Sequence, residues 1–201
     1  MKMKSSMKGV KFTLVVLIVS TAVSILNASP NDQVTKDRSK ADAQIHWPNG
    51  FSPVTADLFA HNEIIISAPV RIVFQHIQEA TKWPKWYSNS KNVQIHNNTD
   101  GLLHSGSTWD WDTFGVHIKS QINEFKLNSR IGWFGNGKGM RAYHTWLLIP
   151  IGKDKTKVIM EECVYGEGAQ KLRRSNPAVM HQGHDIWNQS LRQLAENRGS
   201  I

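Results

Sequence analysis

Histidine and acidic side chains carry whatever chemistry this chain can perform. Nine His stand among its 201 residues. His181-x-x-His184 sets two imidazoles about one helical turn apart, close enough to share an ion. His144 or Glu161 is available as a third ligand. No Cys pair and no His-Glu-x-x-His frame accompanies them, and a lone His on an apolar helix face is ordinarily a hydrogen-bonded core residue. The spacing therefore predicts no metal and no cofactor. Acid–base work is the second possibility. Removing a proton beside a carbonyl needs a base, and the enolate that forms needs a donor. His144, Glu161 and His184 are the candidate catalytic residues, against the competing reading of a buried His–carboxylate network. Along one strand His144 and Trp146 share a face and Tyr143 and Thr145 share the other. The alternation leaves open which face is inner.

Other chemistries lack their signatures. His104-Ser105-Gly106-Ser107 does not match the Gly-x-Ser-x-Gly nucleophile elbow. No glycine-rich loop leads into a helix to hold phosphate. The eight Trp are the stronger signal for binding. Trp109, Trp111, Trp133, Trp146 and Trp187 fall on predicted strands or on the last helix. Such side chains fill a core or line a small-molecule site, which is mostly apolar with few polar groups. Both readings stand. The candidate cavity residues are Trp109, Trp111, Trp133, His144, Trp146, Met180, His184 and Trp187.

The elements that must place these residues read clearly. Phe59 to Ser67 is a strand, and Pro69 opens a short helix, where proline is best tolerated. Val70, Val73, Phe74 and Ile77 then form one helical face. Trp83-Pro84-Lys85-Trp86-Tyr87 follows; Pro84 is expected to keep Trp83 out of the helical region and to break the next turn, and Trp86 to plug the gap between the short helices and the sheet. Strands are predicted over 92–96, 107–113, 116–125, 130–134, 140–149 and 156–165, joined by short turns into an antiparallel meander. Asn176 and Pro177 are placed to start a last helix. Met180, His184, Trp187, Leu191 and Leu194 form its apolar stripe, and Arg198-Gly199 ends it. Gln182, Asp185, Gln189 and Arg192 fall on the opposite face.

This order resembles the helix-grip fold of the START-related superfamily, in particular the polyketide cyclase/dehydrase and lipid-transport branch. The resemblance covers about residues 58–198. It rests on Ala68-Pro69 with Val73-Phe74, Trp83-Pro84-Lys85-Trp86-Tyr87, Gly106-Ser107-Thr108-Trp109, Ile131-Gly132-Trp133, and His144-x-Trp146-x-x-x-Pro150 ahead of Glu161-Glu162. It implies an α+β domain in which a curved antiparallel sheet of about seven strands wraps a long C-terminal helix, with two short helices after strand one. It also implies an internal cavity for a lipid, sterol or polyketide-like molecule. The family has no universal catalytic motif, so none is carried over.

The start of the chain reads as export. Lys2, Lys4, Lys8 and Lys11 precede the uncharged 15-residue run Phe12 to Leu26, and Asn27-Ala28-Ser29-Pro30 follows. That is the layout of a signal peptide over 1–28. As a helix the run reaches only about 22 Å against a hydrocarbon core of roughly 30 Å; an uncleaved anchor is the alternative, and the only route to a membrane. Residues 29–57 are polar or proline-broken and are expected to be a flexible, irregular segment ahead of the domain at 58–201. The leader holds four of the 24 basic residues and no acid, which leaves 20 basic against 16 acidic residues. Lys171, Arg173 and Arg174 are the densest cluster, expected as a solvated loop and too few for a nucleic-acid footprint. The single Cys163 rules out an internal disulfide. The sequence thus predicts an exported binding protein for a small hydrophobic ligand. A cyclase or dehydratase using a His/Glu pair in the same cavity is the alternative, and an interaction module with a filled core is a further one.

Overall fold

A computed structural model describes residues 32–197. The expected leader over 1–28 and the helix stop at Arg198-Gly199 lie outside the described residues. Seven strands form one antiparallel sheet: β1 (Leu58–Ile66), β2 (Ser90–Ile95), β3 (Thr108–Thr113), β4 (Val116–Lys126), β5 (Arg130–Gly137), β6 (Met140–Ile151) and β7 (Lys155–Tyr165). Their order is β1-β7-β6-β5-β4-β3-β2. Strands two to seven are a meander, and β1 closes the row by pairing with β7. Among the described residues four helices accompany the sheet: α1 (Gln33–Arg38), α2 (Val70–Gln78), α3 (Glu167–Ser175) and α4 (Val179–Glu196), with a 3-10 helix at Ala80–Lys85. No helix among the described residues is long and apolar enough to cross a membrane.

The alternation in the strands settles the faces. On β6, His144 and Trp146 point to the inner face, where the α4 residue Trp187 packs against both rings. Tyr143 points outward, against Trp47 and Phe51. The apolar stripe of α4 lies inward as its spacing requires: Met180, His184, Trp187 and Leu191 are buried, while Gln182, Asp185 and Gln189 are exposed. α2 buries Ile72, Val73, Phe74 and Ile77 in the same core.

Four local expectations need correction. Asn176 does not start α4. It terminates α3, donating its backbone N–H to Leu172, and α4 begins three residues later, at Val179, behind Ala178 and without a side-chain cap. The basic cluster at 171–174 is part of α3 rather than a loop, and Arg173 pairs with Asp32 at 2.9 Å. Pro84 does not keep Trp83 out of helical geometry: both lie inside the 3-10 helix. That helix turns its buried face through Trp83, and Tyr87 just beyond it is also buried, whereas Trp86 is only half-buried at the edge.

The fourth correction concerns residues 32–57. They form a packed strap, not a free linker. Asp32 caps α1 by accepting from the Thr35 N–H at 3.1 Å. Val34 is buried with Leu58 and Phe59, and α1 packs on β1, the sheet edge, covering a strand that would otherwise invite pairing. Asp37 is buried and faces His181 at 3.0 Å; the hydrogen bond that His181 donates to Asp37 raises the imidazole pKa above its ordinary value. The Arg38 guanidinium donates to the carbonyls of Pro53 and Ala56. Trp47 and Phe51 then cross the outer face of the sheet. Polar composition suggests a linker, but here the polar atoms are spent on caps and strap contacts.

Candidate functional site

A cavity of about 430 Å³ lies between the inner face of the sheet, α3 and α4. Its deep wall is built from three elements. His144 on β6 and Glu162 on β7 are direct cross-strand partners, so the ladder fixes them side by side on one face. His184 comes down from α4, and its Nε2–H donates to Glu162 Oε2 at 3.0 Å. The His144 ring stacks on Trp133, its partner across to β5, with centroids 4.4 Å apart and planes 14° apart. The His184 ring meets His144 edge-on at 5.2 Å.

The polar accounting at this wall is incomplete within the protein. His144 is only 3% exposed, yet neither of its ring nitrogens has a protein hydrogen-bond partner. Nδ1 of His184 and Nε1 of Trp187 are in the same condition. Buried polar groups are normally paired, and leaving one unpaired costs about 1–3 kcal/mol. Burial, and after it the neighbouring His184, holds the His144 pKa well below that of an ordinary imidazole, so His144 is neutral near pH 7. A neutral imidazole both donates and accepts. The wall can therefore offer a donor, an acceptor and a carboxylate to whatever enters the cavity.

Most of the remaining lining is apolar, with Leu58, Trp111, Ile118, Val164 and Met180 prominent. Phe114, Lys138 and Lys171 are its exposed members and mark the mouth. Phe114 sits there at the expense of backbone comfort. Phe114-Gly115 is the two-residue turn joining β3 to β4, and both residues have positive φ, 51° and 71°. Such a turn favours Asn or Gly at its first position; a phenylalanine with φ above zero marks strain held by its surroundings. Two contacts hold it. Its N–H donates to Asn89 Oδ1 at 3.0 Å, and its ring lies on Gly183 of α4, where any Cβ would collide with it. Gly183→Ala is expected to push the ring off the mouth while leaving the melting temperature nearly unchanged. Alanine improves the helix by up to about 1 kcal/mol, which offsets the lost ring contact. Release of an anilinonaphthalene dye from the cavity, followed by stopped flow, should be several-fold faster than in the parent; an equal rate would show that Phe114 does not cover the mouth.

The sequence-selected residues divide. Trp111, Trp133, His144, Met180, His184 and Trp187 line the cavity. Trp109 and Trp146 do not: they are fully buried in the packed core, Trp109 against Trp83 and Trp133 and Trp146 against Trp187. Glu161 is on the wrong face. It points outward, accepting from His61 Nδ1 at 2.6 Å and from the Asp42 N–H at 2.7 Å. His181 is turned to Asp37 and away from His184. Glu162 is the residue the sequence reading passed over. The signal for it was parity: β6 and β7 pair residue by residue, so a carboxylate can meet His144 only from the facing position.

Comparison with known proteins agrees with this geometry. Residues 60–197 match the model of the polyketide cyclase/dehydrase and lipid transport family. The crystal structure of the hypothetical protein jhp0584 from Helicobacter pylori is 29% identical, with a TM-score of 0.71, covering 77% of this chain and 98% of that one. The Zhui aromatase/cyclase from Streptomyces sp. R1128 shares the fold at 10% identity and a TM-score of 0.60, over 71% of this chain and 98% of its own. Norcoclaurine synthase from Thalictrum flavum, solved in complex with dopamine and hydroxybenzaldehyde, does so at 14% identity and a TM-score of 0.54, over 79% and 100%. No curated protein sequence matches.

Proposed function

Because the chain belongs to the polyketide cyclase/dehydrase and lipid transport family, we propose that it is an exported binding protein for one small, largely apolar ligand held in the cavity. The observation that carries this reading is the pairing of apolar walls with a single polar cluster at the deep end. A ligand whose polar group reaches His144, Glu162 and His184 gains orientation from the cluster and apolar burial from the walls. The volume, about 430 Å³, sits at the lower end of ligand pockets, which run from about 300 to 1,000 Å³. That favours a compact sterol-like or polyketide-like molecule over a two-chain lipid. Trp111, Trp133 and Trp187 supply flat faces for its rings. Export rests on the leader, Lys2 to Ser29.

The second reading is catalysis of a cyclisation or dehydration in the same cavity. The 3.0 Å hydrogen bond between His184 and Glu162 favours it, because a carboxylate that orients an imidazole makes a general base. In that reading Glu162 takes the role that Glu161 cannot reach.

Native mass spectrometry of the protein taken from its own cells tests the proposal. The expected spectrum shows a chain that starts within a few residues of Ala28 and carries a retained small molecule. A mass that includes Met1 to Leu26 overturns export by cleavage. Gentle ionisation that yields only bare protein, with no adduct from any fresh preparation, overturns the carrier reading and leaves turnover as the function of the cavity.

A further inference from the structure

We propose that His144, Glu162 and His184 form a three-ligand site for one divalent cation of the zinc or iron(II) class on the deep wall of the cavity. One ligand atom from each of the three side chains can be chosen so that all lie within 4.8 Å of one another. One pair of these side chains already stands near the spacing of neighbouring ligands. Nε2 of His184 and Oε2 of Glu162 are 3.0 Å apart, and metal bonds of about 2.0–2.2 Å at near-tetrahedral angles put adjacent ligand atoms roughly 3.3–3.5 Å apart. The ion takes the place of the proton that His184 now donates to Glu162. His144 closes the remainder by a small side-chain movement toward the same point.

The second, independent observation is His144 itself. It is 97% removed from solvent, the complement of its 3% exposure, and no protein group answers either ring nitrogen. A core histidine of purely structural use finds an acceptor or donor. This one stacks on Trp133 and borders the cavity beside Glu162 and His184, with neither nitrogen answered by a protein group. A cation accepts such a lone pair directly.

The donor set chooses the ion. Two imidazoles and one carboxylate suit zinc, iron, cobalt and nickel, whereas calcium and magnesium call for oxygen ligands. Three protein ligands leave positions open, and these face the cavity, the arrangement of a site that takes water or a ligand atom rather than a closed structural one. The inference does not depend on which organic molecule the cavity holds, since the ion is measured on protein freed of ligand.

The test uses the full chain, stripped with a chelator and titrated with Zn2+ in competition with a chromophoric chelator and separately with Co2+. One equivalent of each should bind, and Co2+ should gain the intense visible bands of a four- or five-coordinate site. Glu162→Gln and His144→Phe should each weaken binding about tenfold or more, the scale on which even outer-shell partners of a metal act. His117→Ala removes the exposed cluster of His117 with Asp110 and Asp112 and should change nothing. Binding that survives Glu162→Gln, that disappears with His117→Ala, or that never reaches one equivalent overturns the proposal. Phenylalanine preserves the stack on Trp133, and near-ultraviolet circular dichroism checks the fold; should that variant not fold, Glu162→Gln, which keeps size and shape, decides alone.

Discussion

Trp83→Ala is expected to lower the free energy of unfolding by about 3–5 kcal/mol, the usual cost of truncating a buried tryptophan. Trp83 is fully buried at the centre of the aromatic core. Its ring meets Trp109, Trp111, Trp133 and Trp187 at centroid distances of 6.3, 5.3, 5.9 and 5.3 Å. Its Nε1–H donates to the Ile77 carbonyl at 3.0 Å, tying the 3-10 helix back to α2. Removal therefore opens a cavity and also takes away the donor that serves a buried carbonyl. Neighbouring rings are themselves locked, Tyr87 and Trp187 being stacked at 4.4 Å with planes 5° apart, so the site cannot collapse to fill the gap. Trp86, three residues away and only half-buried, should cost about 1 kcal/mol when truncated in the same way. Urea unfolding of both variants, followed by far-ultraviolet circular dichroism, makes the comparison. Equal losses would mean that the turn, and not the ring of Trp83, holds the short helices on the sheet.

That contrast shows how far the sequence could be read. The strands were legible because alternation in β4, and the Trp109/Trp111 pair in β3, have a period of two that no helix imitates. α4 was legible because Met180, His184, Trp187 and Leu191 recur on one helical face. What periodicity does not carry is position along the sheet normal and along the strand. Trp109, Trp111, Trp133 and Trp146 all occupy inner-face positions, yet only Trp111 and Trp133 border open space. The cavity ends where Trp83 and Trp187 fill the grip, and that boundary depends on contacts between residues distant in sequence. Trp83 and Trp86 are similarly indistinguishable by composition; a 3-10 turn carries one inward and leaves the other at the rim. The strap over 32–57 was illegible for another reason. Its burial comes from a few contacts, such as Val34 of α1 on Leu58 and Phe59 and Trp47 on Tyr143, in a segment without repeating pattern. Asn176 misled because a capping residue can equally terminate the preceding helix, and α3, with only Ala169 fully buried, gave too weak an apolar stripe to announce itself.

The adjacent carboxylates of β7 should separate stability from function. Glu161→Ala is expected to cost about 3–5 kcal/mol, the penalty for removing one member of a buried pair, and to leave the cavity untouched. Glu161 is wholly buried on the outer face. One of its oxygens serves both His61 at 2.6 Å and the Asp42 N–H at 2.7 Å, so it joins β1 to the strap that covers that edge. Its loss orphans a buried imidazole and a backbone donor together, and the strap loses its anchor at Asp42. Glu162 is the mirror case. It lies on the inner face against the cavity, and Glu162→Gln retains a carbonyl oxygen that can accept from His184, so stability should fall by about 1 kcal/mol or less, while whatever the cavity binds through its polar wall should bind less well. The measurement is a two-by-two comparison: unfolding free energy, and retention of the native ligand or of a titrated cation, for both variants. The faces assigned to β7 require the effects to cross over. If Glu161→Ala keeps the parent's stability, the outer pair is not holding the strap. If Glu162→Gln retains ligand and cation as well as the parent does, the deep wall is only packing, and the orphaned nitrogens of His144 have no partner to find there.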